Sequence, residues 1–244
     1  FAVMIRWFHC IRAVLVAGVT LLTVSPLVAG AQPAGSPPGV PASPATARFL
    51  IFLRSQQIGT EESTVTKTAQ GWTITGQGRI GAPLDIVTRA LEIKYDPQWK
   101  PLELYVDATA RNLATKVHTV VTGTTAKNEI TTIGEPAEKT DTIAADALLL
   151  PNPFFAPFEA VAARLLTAAN GSSIPLYTAP QGTVIATVTE SGAEKIDTAA
   201  RLINVKRTKI HLKPEVGPEV DAEVWSDENG RLLRVTVPAQ TLDV

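Results

Sequence analysis

From Ala47 to Ile143 apolar and polar residues alternate with a period of two, which is what a half-buried antiparallel strand requires. In Ile86 to Tyr95, Val87, Leu91, Ile93 and Tyr95 fall on one face and Thr88, Glu92 and Lys94 on the other. Leu102, Leu104, Val106 and Ala108 repeat the pattern against Glu103 and Asp107. The connection Asp96-Pro97-Gln98-Trp99-Lys100-Pro101 is short and carries two prolines, as suits a hairpin turn. Strands are further expected at 48–56, 60–68, 71–80, 115–123 and 126–133, several rich in threonine and valine. The period then changes. Phe155 to Ala169, with Phe158, Val161, Ala162, Leu165 and Leu166 at helical spacing, reads as an amphipathic helix that stops before Gly171 and is entered through Pro151-Asn152-Pro153. Strands return at 183–190, 199–212, 219–226 and 231–237. In Arg201 to Leu212 the apolar phase moves from Ile203 and Val205 to Ile210 and Leu212, which predicts a bulge near Arg207 or Thr208. Asp227-Glu228-Asn229-Gly230 supplies a tight turn. With no second helix to cover it, the single apolar helix must pack on the sheet. The fold class is therefore mainly β, a large curved antiparallel sheet or open barrel with one packed amphipathic helix.

The N-terminus has a different pattern. Arg6 and Arg12 precede the apolar run Ala13 to Leu22, followed by Ser25, Pro26 and Ala29-Gly30-Ala31. A basic region, an apolar core and an A-x-A site make residues 1–31 a secretory signal peptide cleaved after Ala31, with Met4 as the start. Pro26 and Gly30 interrupt the run before it reaches the roughly 20 apolar residues of a membrane span, so no stable span is expected after cleavage. The expected location is periplasmic or secreted. Residues 32–46 are rich in Pro, Ala, Gly and Ser and carry no charge or aromatic ring, so they read as a disordered linker. Residues 47–244 are then one antiparallel β-domain.

Charge and composition remove several functions. Loss of Arg6 and Arg12 from the 22 basic residues leaves 20 against 23 acidic ones, and no concentrated basic surface, so no nucleic-acid partner is expected. The one cysteine, Cys10, lies in the leader, on the wrong side of the apolar run for lipidation. The mature chain thus has no thiol for disulfides, nucleophilic catalysis or thiolate metal sites. His118 and His211 are placed on strand faces opposite the apolar sets, which does not make a metal site. There is no G-x-S-x-G elbow, phosphate-binding glycine loop or dinucleotide fingerprint. The carboxylate groups Glu61-Glu62, Asp141 with Asp146, and Glu219, Asp221 and Glu223 show no sign of the desolvated setting that acid–base chemistry needs. No cofactor and no catalytic residue are assigned.

Aromatic residues are more informative. Trp225 is in phase with Asp221 and Glu223 on the face expected to be exposed, near Leu232 on the next strand; Trp72, Trp99 and Tyr105 are further candidates. The run Trp225-Ser226-Asp227-Glu228-Asn229-Gly230-Arg231-Leu232-Leu233-Arg234, with Tyr95-Asp96-Pro97, Trp99-Lys100-Pro101 and an early strand ending in Ile58-Gly59, resembles an uncharacterised bacterial periplasmic or envelope β-domain family. The resemblance covers about 48–240 and rests mainly on turn chemistry. It implies a fold similar to the outer-membrane lipoprotein carrier proteins, and by analogy of fold, lipid or lipoprotein binding. Domains of this appearance also precede secreted α/β-hydrolases.

Three readings follow. The first is an exported, non-catalytic envelope domain that binds a lipid or other apolar ligand, or an envelope protein partner. The second is the N-terminal accessory domain of a secreted serine hydrolase or peptidase whose catalytic domain lies beyond Val244, and the third is a structural envelope protein. For the first, one helix of about 15 residues spans about 22 Å and leaves part of the concave sheet face open. Leu91, Ile93, Leu104 and Val106 from the sheet and Phe155, Phe158, Leu165 and Leu166 from the helix are expected to border the ligand site. Alternatively, the same eight residues make a closed core.

Overall fold

The computed structural model describes residues 44–197 and 202–244. The signal peptide 1–31 and nearly all of the linker 32–46 lie outside the described residues. Fifteen strands form one sheet: β1 (Ala45–Leu53), β2 (Gln56–Thr68), β3 (Gly71–Ile80), β4 (Ile86–Tyr95), β5 (Pro101–Ala110), β6 (Leu113–Thr122), β7 (Thr125–Thr132), β8 (Glu135–Thr142), β9 (Leu148–Leu149), β10 (Ser173–Thr178), β11 (Gly182–Asp197), β12 (Leu202–Pro214), β13 (Val220–Ser226), β14 (Leu232–Val237) and β15 (Leu242–Asp243). The order runs β8-β7-β6-β5-β4-β3-β2-β1-β15-β14-β13-β12-β11-β10-β9. All pairs are antiparallel except β9 with β10, and the sheet is not closed by a β8–β9 pair. The architecture is thus a large curved sheet carrying one α-helix, α1 (Phe158–Leu165).

Ten of the eleven strands expected from alternation are placed within a few residues, and the eleventh, β11, runs on to Asp197. β1 starts at Ala45, so the last two residues of the expected linker already pair with Val65 and Thr64. β8, β9, β10 and β15 carry no alternation strong enough to announce them. β8, Glu-Pro-Ala-Glu-Lys-Thr-Asp-Thr, is a polar edge strand, the composition that protects an edge from pairing with other chains. α1 is about half the expected length. Phe158, Glu159 and Ala160 donate their N–H groups to carbonyls three residues back, so Phe155 to Pro157 form tight turns before regular helix begins.

Bulges set which residues face inward. A register shift between Thr88 and Ala90 puts Thr88 inside, 6 % exposed, and Val87 outside, 39 % exposed, reversing the faces expected for the start of β4. The bulge expected at Arg207 or Thr208 is instead on the neighbouring strand, between Val188 and Glu190, while β12 stays in unbroken register with β13. Lys206, Thr208 and Ile210 all face the helix side. Val205 is buried on the opposite face, which accounts for the apparent change of phase. A shift between Trp225 and Ser226 likewise separates Trp225 from Leu232: Leu232 joins the core and Trp225 packs on the outer face. There the guanidinium groups of Arg207 and Arg234 lie 5.6 and 5.0 Å from its ring, and its indole N–H donates to Glu194. The patch expected around Trp225 is therefore covered by its own strand neighbours.

Tyrosines join the two halves of the sheet where no ladder does. The Tyr177 hydroxyl on β10 donates to Asp141 on β8 at 2.6 Å and accepts from Asn128 on β7 at 2.8 Å; Asn128 also accepts from Thr119 on β6. Desolvation and the Asp141 carboxylate push the Tyr177 phenol far up, so it remains a neutral donor. Replacing it, Tyr177→Phe, leaves Asn128 and Asp141 each short of a partner. This is expected to cost about 2 kcal/mol and lower Tm by about 4–8 °C in a thermal melt, whereas Tyr105→Phe on the outer face should stay within about 2 °C of the parent.

Candidate functional site

The inner face of β3 to β6 carries the sheet residues singled out by alternation. Leu91, Ile93, Leu104 and Val106 are at most 5 % exposed. Phe155, Phe158 and Leu165 are buried in the same apolar cluster, and Leu166 is half-buried beside it. Seven of the eight thus meet in one core. What lies across the sheet is an irregular segment, residues 147–157 including the two-residue β9, followed by α1. The helix rests on β13 and β14, whereas the segment before it covers the half formed by β3, β4 and β5.

A buried segment without regular structure needs partners for its backbone groups. Tyr95 on β4 supplies one pair: its hydroxyl accepts from the Leu149 N–H at 3.0 Å and donates to the Leu149 carbonyl at 3.4 Å. Glu61 on β2, 2 % exposed, supplies the next, accepting the Ala156 N–H at 2.6 Å and the Phe155 N–H at 3.1 Å. No cation shares this site among the described residues. Burial pushes the Glu61 carboxyl up to about 7, the two N–H groups pulling in the opposite direction. Close approach is possible because β3 has Gly76 here: a Cβ at that position would sit 2.9 Å from the Ala156 Cβ. Ser63, next to Glu61 on the same face, has a buried hydroxyl with no hydrogen-bond partner among the described residues.

Charged groups also fix α1. Glu159 is 2 % exposed and accepts from the Arg231 guanidinium at 2.9 and 3.1 Å and from the Leu232 N–H at 3.0 Å. Lys206 donates to the carbonyls of Leu165 and Leu166 at the helix C-terminus, at 2.8 and 2.9 Å, where a cation also complements the helix dipole. Gly230, at φ +78°, lets the β13–β14 turn lie against the helix, since a Cβ there would be 3.1 Å from the Ala163 Cα.

At the end of the sheet bearing the β2–β3, β4–β5, β6–β7 and β13–β14 turns, the inner face ends in two half-buried tryptophans. Trp72 and Trp99 stack with centroids 4.6 Å apart and planes 18° apart, and Tyr95 lies against Trp99 at 5.3 Å. Both pack on the edge of the core. Trp99 has φ +63°, at the turn position ordinarily given to Gly or Asn. Asp96 holds this turn by accepting the N–H groups of Gln98 and Lys100, each at 2.8 Å.

The outer face is polar. A shallow groove of about 710 Å³ runs across it, lined by residues including Glu62, Arg89, Glu92, Glu103, Tyr105 and His118. Its charges are largely paired, with Arg89 on Asp107, and Lys94 and His118 on Glu103, so it shows no unmatched charge for catalysis. His211 bonds to Asp221 at 2.7 Å and to Glu219 at 3.1 Å; these carboxylates raise its pKa at an exposed strand surface. Among the described residues no group of three or more His, Cys, Asp or Glu could hold a metal ion, and no helix is long and apolar enough to cross a membrane.

Sequence reasoning missed Glu61 and Glu159. Glu61 is in phase with the buried Val65 four residues on, and Glu159 lies one turn before Ala162 on the apolar side of the helix, so phase alone marks both as candidates for burial.

The described residues thus define an open curved antiparallel sheet with one covered apolar face. No family model and no curated protein matches the chain. Among solved structures it is similar to a DUF1089 family protein from Pseudomonas aeruginosa, over 88 % of this chain and 98 % of that one, at 15 % identity and a TM-score of 0.34.

The buried Glu61 makes stability depend on pH. Its value in the folded chain, about 7, lies above the ordinary 4.5, so the folded state holds the proton more tightly than the unfolded state. The contribution is complete below about 4.5 and is lost as pH rises through about 7. Chemical denaturation should show stability falling over that interval by up to about 3 kcal/mol, and Glu61→Gln should remove most of the fall.

Proposed function

We propose that the chain is an exported, non-catalytic envelope domain that binds an apolar ligand on the inner face of its sheet, beneath residues 147–157 and α1. One observation carries this reading: the half of the face bearing Leu91, Ile93, Leu104 and Val106 is covered by irregular chain held at a few polar points. Such segments open more readily than strands, because fewer hydrogen bonds must break together. When the segment lifts, an apolar ligand replaces its packing against the sheet, at about 25 cal/mol per Å² of surface kept from water. Only the closed form has Glu61 and Tyr95 bonded to the segment, so the ligand shifts a two-state equilibrium.

The apolar fluorescent probe N-phenyl-1-naphthylamine, added to the folded protein, tests this. Fluorescence enhancement is expected, together with faster hydrogen exchange at Phe155 and Ala156 while the amides of β4 and β5 remain protected. The hydrolase-accessory and structural readings both leave the core closed. Absence of probe uptake, or uptake with unchanged exchange at Phe155 and Ala156, would contradict the proposal.

A further inference from the structure

The rim formed by Trp72 and Trp99 has features that core packing does not require. A bulky residue in the left-handed region costs about 1–3 kcal/mol, and glycine at position 99 would remove that cost. The strain sets the Trp99 indole on Trp72 at the margin of the apolar face. The Trp72 Nε1–H is buried and has no hydrogen-bond partner among the described residues. A buried donor left unpaired is uncommon and marks a place where an acceptor is missing. Lys67, on the neighbouring strand, holds its ammonium 4.8 Å from the Trp72 ring centroid and forms no ion pair among the described residues. The nearby Asp96 carboxylate is occupied by the backbone of its own turn. A cation, an unpaired donor and an aromatic surface thus stand together where the apolar face ends.

We infer that this rim is the headgroup site of a single-chain amphiphile with an anionic oxygen head, carboxylate or phosphate, whose chain lies along the inner face. The inference rests on the apolar-ligand reading above and names the ligand class for it. One head oxygen accepts from Trp72 Nε1 as the indole turns toward the opened face, and Lys67 neutralises the charge. The two rings cover the first methylenes, as tryptophan does where an apolar region meets a polar one.

The test is displacement of N-phenyl-1-naphthylamine by hexadecanoate, hexadecyl phosphate and hexadecan-1-ol, each below its aggregation threshold. At least one anion should compete about tenfold or more better than the alcohol, the effect of one charge-assisted contact, and the better anion identifies the source of the head. Lys67→Gln and Trp72→Phe should each bring anion and alcohol to within about twofold of one another while leaving alcohol binding unchanged. Should Trp72→Phe fail to fold, the exposed Lys67→Gln decides alone. Equal competition by anion and alcohol in the parent, or a preference that survives Lys67→Gln, overturns the headgroup site and leaves apolar binding intact. Failure of the probe itself to bind overturns both.

Discussion

Eleven residues of mostly irregular chain, 147–157, lie across an apolar sheet face, and the fold depends on finding partners for their backbone groups there. An unpaired buried N–H or carbonyl costs about 1–3 kcal/mol, enough for two or three of them to offset much of the stability of a domain. Glu61 and Tyr95 meet this need from the sheet, and the charged groups Glu159, Arg231 and Lys206 do the same around α1. The cover is therefore held at discrete points. It has a closed arrangement defined by particular bonds, and no extended ladder that would prevent it from leaving.

The rest of the architecture positions those points. Bulges turn Thr88 inward and carry Trp225 outward, so that apolar side chains stay on the concave side as strands bend. Gly76 and Gly230 admit Ala156 and α1 at distances a side chain would forbid. Tyr177, Asn128 and Asp141 tie β7 and β8 to β10 without a ladder, so the two sheet halves enclose the cover while the sheet stays open. The strained Trp99 turn is the one local feature that the sheet does not need, and it lies at the rim of the covered face.

Period-two alternation made most strands legible, because one face of each is apolar and bulges are few. β8 was invisible for the opposite reason: as an edge strand it buries little, and its charges serve to discourage pairing. The helix was overestimated because Phe155 and the residues after Leu165 continue the apolar spacing through tight turns. Seven of the eight residues expected around the inner face do meet there, since alternation fixes faces. The polar attachments were not legible. Glu61 and Phe155 are far apart in sequence, and nothing local to Glu61 shows that two N–H groups will satisfy it. The stacking of Trp72 on Trp99 depends on a turn conformation that is unusual for tryptophan, so sequence pattern argues against it.

The central claim, that the cover must move for the inner face to be used, can be tested by fixing the cover in place. Gly76→Cys with Ala156→Cys, in a chain lacking Cys10, joins β3 to the segment. The added Cβ would lie 2.9 Å from that of Ala156, a little closer than the usual disulfide spacing of about 3.5–4.5 Å, so a small shift suffices. Uptake of N-phenyl-1-naphthylamine should be abolished in the oxidised form and restored on reduction. Equal uptake in the two forms would show that the ligand face is reached without moving the cover, and the account would be wrong.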